Sequence, residues 1–202
     1  MKTPFITLSI TILMAMLFTA FGSAPEQLTW FTRDDWQQPW RLLTAHFVHS
    51  DIQHLIWNAG AFLLLGSIIE QFSRRDLLLS IFVGIISVNI FLISLYELNA
   101  YVGFSGVLNS ILIVTLFKLS TKDEYQDVVH WTLMLSMLKI IIELYSKESL
   151  FSSITWATIP EAHLCGWLAG VVLILVQVVS RQKEQAMQIV IPSQKETIKK
   201  AV

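Results

Sequence analysis

Tyr101 to Ile111 reads YVGFSGVLNSI, with Ser105 between Gly103 and Gly106 at the mouth of an apolar run that continues to Leu119. An uninterrupted apolar run of this kind reads as a membrane helix, and the chain holds five more: Met1–Phe21, Leu55–Phe72, Leu77–Leu95, Val128–Tyr145 and Ala162–Ser180. Each approaches the roughly 20 residues that cross a hydrocarbon core. The runs are continuous, without the polar/apolar alternation of a barrel strand, so the spans are helical. With 54% hydrophobic and 14% charged residues in a chain of 202, an ordinary soluble domain is excluded.

The expected fold is therefore all-α, a polytopic bundle of six transmembrane helices over residues 1–180. A charged tail at 181–202 would follow as a mobile, fraying extension. Met1–Phe21, with Lys2 ahead of it and Ser23-Ala24 behind, also fits a signal peptide. A retained helix is favoured because everything downstream spans the membrane. If the N-terminus is cytoplasmic, the inner segments hold Lys2, Arg74, Arg75, Lys118, Lys122, Arg181, Lys183, Lys195, Lys199 and Lys200, ten of the fourteen basic residues. The outer segments hold Arg33, Arg41 and Lys147, with Lys139 inside the fifth span. That bias places both termini in the cytoplasm.

Net charge is −1, which supplies no reason to expect nucleic acid as a partner. The single cysteine, Cys165, makes no internal disulfide. Gly22–Trp40 carries Pro25, Pro39 and the aromatics Trp30, Phe31, Trp36 and Trp40, a composition suited to a loop at the outer leaflet, where amphipathic rings settle. The lipid bilayer is thus the first partner; the sequence gives no oligomeric state.

A serine becomes a nucleophile only when a base takes its proton. With six spans and an inside start, the second, fourth and sixth helices enter from the outer face, so His54, Ser105 and His163 reach a similar depth. Polar groups inside a bilayer are costly, and their convergence marks a candidate site. Ser105 alone also suits close helix packing. At a helix start, however, free backbone N–H groups can stabilise a negative oxygen. His163 in AHLCGWLAG, Ala162–Gly170, is followed by Gly166 and Gly170, a Gly-x-x-x-Gly spacing that permits close approach to a neighbouring helix. If that neighbour is the fourth span, His163 reaches Ser105 and can act as general base and then general acid.

His54 and Asn58, four apart, share one helix face and with the Ser105 N–H could donate to an oxyanion; a polar pair stitching helices together is the alternative. His46 and His49, in TAHFVHSDIQH, read as loop-bracing groups. Several histidines near one face could instead ligate haem or another metal, but that leaves Ser105 and its glycines without a role, so no metal and no cofactor are expected. In the fifth span, Lys139 and Glu143 are placed to neutralise each other and pair helices, with substrate gating as the alternative, and Met134 and Met137 read as packing residues.

Three motifs together resemble the rhomboid family of intramembrane serine proteases: WRLLTAHFVHSDIQHLIWN from Trp40 to Asn58, GFSG from Gly103 to Gly106, and AHLCGWLAG, in the family's order. The resemblance covers about Trp40 to Ser180. It implies Ser105 as nucleophile and His163 as base in a dyad with no required third acid, and His54, Asn58 and the Ser105 N–H as oxyanion stabilisers. It also implies structural roles for Trp40, Arg41, His49 and Glu70. The chain is similar as well to the rhombosortase subgroup, which implies processing of C-terminal Gly-Gly anchors of exported proteins. It departs from that subgroup at Asn109, where a histidine is frequent. The resemblance thus implies an endopeptidase of a bacterial inner membrane, acting on membrane-anchored proteins near the outer face. A catalytically silent relative that binds client helices is the alternative.

Overall fold

The computed structural model describes residues 3–31, 37–94, 100–147 and 159–200, with side chains described as far as 185. Lys2, Arg33 and Trp36 lie outside the described residues. The elements in chain order are α1 Phe5–Phe21, a short α2 Arg41–Thr44, α3 Ile52–Phe72, α4 Arg74–Ser94, α5 Ser105–Leu119, α6 Gln126–Ser146 and α7 Pro160–Lys200. A 3₁₀ turn, Asp123–Tyr125, precedes α6. The protein is an all-helical, multi-pass membrane protein.

Four of these helices are long and apolar enough to cross a membrane: α3, α4, α6 with its preceding turn, and α7 over Pro160–Gln185. The 17-residue α1 and the 15-residue α5 are apolar but shorter. At about 1.5 Å per residue, α5 is about 22 Å long, less than the hydrocarbon core. Its position explains why a short helix suffices. α3, α4 and α7 pack around it, and Val107, Ile111 and Val114 are sealed inside the bundle. Non-helical backbone at membrane depth is tolerated where protein surrounds it, and residues 100–104, just ahead of Ser105, are non-helical.

Small residues set the spacing around α5. A Cβ on Gly166 would coincide with the Gly106 carbonyl, and one on Gly170 would lie 2.9 Å from the Ser110 carbonyl oxygen. The neighbour of the Gly-x-x-x-Gly face is therefore α5. α1 is attached at its first turn, where the buried Glu70 carboxylate of α3 accepts from Ile6 N (3.1 Å), Thr7 N (3.0 Å) and Thr7 Oγ1 (2.9 Å). The two nitrogens are amides that a helix start leaves unpaired, and the third donor is a hydroxyl. At the same end of the bundle the buried Asp76 joins three helices, taking Lys118 Nζ of α5 at 2.6 Å and Gln177 Nε2 of α7 at 3.0 Å.

Two expectations need correction. Trp30 is not an interfacial ring: it is 1% exposed, packed with Ala45, Val88, Leu92, Tyr101 and Ala162. Its backbone pairs with that of Tyr101, which pulls the loop onto the bundle. Met134 and Met137 face outward, because α6 buries only Val129, Ile140 and Glu143. The chain beyond Arg181 continues as helix to Lys200 without a break.

Candidate functional site

Local chemistry fixes where each helix of the site begins. Asp51 caps α3, its Oδ1 accepting from the His54 N–H at 2.8 Å. That puts His54 in the first turn and Asn58 one turn further along. α5 begins at Ser105 itself, so the serine amide is one of those a helix start leaves free. Phe104 just before it is fully buried, with its ring 5.1 Å from that of Phe62 and 5.5 Å from that of Phe47. This anchor fixes the depth of the serine. α7 begins at Pro160, which supplies a pre-set backbone angle where no N–H is needed.

The three helix starts meet. Ser105 Oγ lies 2.9 Å from His163 Nε2. Gly103, with φ +118°, turns the chain against the second pair: a Cβ there would lie 2.5 Å from His54 Cε1 and 3.7 Å from Asn58 Nδ2. Among the described residues Asn58 Nδ2 is a buried donor with no hydrogen-bond partner. His54 Nδ1 is 3.1 Å from Ser50 Oγ, which is 2.9 Å from Asp51 Oδ2. The Ser50 hydroxyl donates to Asp51 Oδ2, so its oxygen accepts from His54 Nδ1–H; donation into the site by His54 Nε2–H needs that one hydroxyl proton to turn from Asp51 to Nδ1.

The flanking motif residues form a layer over this site. His46 Nε2 donates to Asn89 Oδ1 at 3.0 Å, while Asn89 Nδ2 donates to the Leu42 carbonyl. His49 is buried edge-on to His54, with ring centroids 5.0 Å apart. Burial pushes the imidazole of His46 down to about 4 and that of His49 to about 3, so both are neutral at pH 7. Arg41 is buried with its guanidinium over the Phe31 ring, whereas its neighbour Trp40 is half exposed and donates from Nε1 to the Gln27 carbonyl. The Gly103 N–H donates to the Ala45 carbonyl and Tyr101 Oη to the Gly103 carbonyl. Asn109 turns back to its own helix, donating to the Ser105 carbonyl at 2.9 Å.

Glu143 reaches beyond the ion pair that its spacing from Lys139 predicts. Glu143 does pair with Lys139 at 2.7 Å, but the same Oε2 lies 2.9 Å from His163 Nδ1. The four-residue spacing of Lys139 and Glu143 was visible in the sequence. Nothing in that spacing shows which helix their shared face meets. Among the described residues no group of three metal-ligating side chains occurs.

An all-helical membrane bundle whose polar groups converge at three helix starts around a serine is the class that fold and site define. The family model of the rhomboid domain matches residues 36–180. The chain belongs to the rhomboid family, a family of intramembrane serine proteases. No curated protein matches it.

Proposed function

We propose that the chain is an intramembrane serine endopeptidase that cleaves the membrane-anchoring segments of other proteins near the outer face. The observation that carries this reading is the 2.9 Å contact between Ser105 Oγ and His163 Nε2 at the start of α5. Ser105 Oγ attacks the scissile carbonyl while His163 Nε2 takes the hydroxyl proton. The Ser105 N–H, His54 and Asn58 hold the resulting oxyanion. His163 then gives the proton to the leaving amine as the peptide C–N bond breaks, and water hydrolyses the acyl-enzyme by the same steps in reverse order.

The substrate must expose its backbone to the serine. Glycines, which cost a helix about 1 kcal/mol each relative to alanine, make unwinding easiest. Gly-Gly-containing C-terminal anchors of exported proteins are the finer substrate assignment, with six crossings, both termini cytoplasmic and a bacterial inner membrane as the setting. The basic residues concentrated on the inner segments support that orientation.

Labelling of the detergent-solubilised full chain by a fluorophosphonate tests the reading. Labelling of the wild type that vanishes in both Ser105→Ala and His163→Ala is the expected result. Folded wild-type protein that takes no label would overturn it in favour of a client-binding role.

A further inference from the structure

Resting on that reading, we infer that Glu143 of α6 is a positioning residue for His163, held in place by Lys139, so that Ser105 and His163 work with a third, orienting carboxylate and not as a two-residue dyad.

The geometry assigns the proton. Glu143 Oε2 lies 2.9 Å from His163 Nδ1, and an ionised carboxylate only accepts, so Nδ1 carries the hydrogen. The other ring nitrogen, Nε2, is then bare where it faces Ser105 Oγ at 2.9 Å, which is the form a general base needs. When Nε2 takes the serine proton, the imidazolium forms beside a carboxylate already in place, in surroundings with little water to screen or replace it. No atom of Glu143 bonds to substrate; its part is to hold one tautomer and one ring orientation.

Burial argues that the contact is built. The Glu143 side chain is fully buried, although α6 turns most of its residues outward. A lone carboxylate there would be strongly disfavoured. Lys139 Nζ, 2.7 Å from the same oxygen and with its side chain 28% exposed, neutralises it from one turn away. Lys139 and Glu143 could neutralise each other on any face of the helix. Here the pair is turned inward, at the level where α7 presents His163.

The test combines two readouts on the full chain in detergent. ¹⁵N spectra of the histidine rings report which nitrogen carries the hydrogen, and the fluorophosphonate labelling rate reports nucleophile activation. The wild type should show Nδ1–H on His163. Glu143→Gln can donate to Nδ1, so it should move the hydrogen to Nε2 and slow labelling on the order of 10²- to 10⁴-fold; Glu143→Asp should restore part of the rate. Should Glu143→Gln fail to fold because Lys139 is left without its counter-charge, the double variant Lys139→Met/Glu143→Gln removes that charge, and the same changes are expected. A wild-type His163 protonated on Nε2, or folded variants that label within twofold of wild type, overturns the inference. Absence of labelling in the wild type sinks the protease reading, while the tautomer measurement still decides the contact with Glu143.

Discussion

Gly103 carries more of the site's geometry than its size suggests. Its φ of +118° belongs to the region that side chains rarely enter, and the space where a Cβ would go is taken by the His54 ring. Gly103→Ala therefore combines backbone strain with displacement of a proposed oxyanion donor. Removal of one such donor costs about 10²–10³ in rate, so fluorophosphonate labelling should fall about 100-fold in Gly103→Ala and the thermal midpoint should drop with it. Labelling at the wild-type rate would show that His54 does not serve the reacting centre. The residues of this corner were open to reading, because glycine, serine and histidine in a fixed order carry chemistry that few other types supply. Glu143 was not. An i,i+4 Lys–Glu pair looks complete in itself, and only the seating of α6 against α7 shows that its carboxylate has a second partner.

The elements were legible for the same reason that they are stable in lipid: each is a continuous apolar run whose backbone must satisfy itself. The shortness of α5 was less visible, because a central helix and a lipid-facing one have the same composition. The difference lies in what surrounds them. Ends were harder still, since what secures them is polar and long-range. Glu70 shows this best, a buried carboxylate of α3 that accepts from two free amides and one hydroxyl at the start of α1, with Arg74 Nε at 3.2 Å. Hydrogen bonds to a charged group are worth about 1.5–3 kcal/mol each, and Glu70→Gln replaces one acceptor oxygen by a donor facing donors. For a chain of this size, that should lower the thermal midpoint by roughly 5–10 °C. Labelling at low temperature should survive, because α1 starts at the end of the bundle away from Ser105. A midpoint within 1–2 °C of wild type, on the scale of about 2–4 °C per kcal/mol, would mean that α1 is held by its apolar packing on α3 alone.

For the molecule as a whole, the layer above the helix starts makes stability depend on acidity in a definite direction. His46 and His49 are buried in that layer, outside the spans, with their imidazoles pushed from the ordinary 6.5 down to about 4 and about 3, chiefly by loss of water. In the unfolded chain both would take up a proton near the ordinary value, so below it the unfolded state binds more protons than the folded one. Stability contributed by these groups is therefore fully present above pH 6.5 and is lost as pH falls from there toward 4. The loss reaches about 1.4 kcal/mol per pH unit for each histidine and is on the order of 3 kcal/mol per group by pH 4. This layer also carries the connections that position Gly103 and cover His54, through the Gly103 N–H on the Ala45 carbonyl and the His49 ring against His54. Acid should consequently release the layer and inactivate the protein together. Thermal midpoints of the full chain in detergent from pH 7.5 to pH 4 should be flat at the upper end and fall steeply below 6.5. His46→Gln keeps an amide donor for Asn89 but has no proton to gain in this range, so its slope between pH 6.5 and 4 should be visibly shallower. An identical slope in that variant would show that protonation of His46 contributes nothing to the acid sensitivity, leaving it to His49.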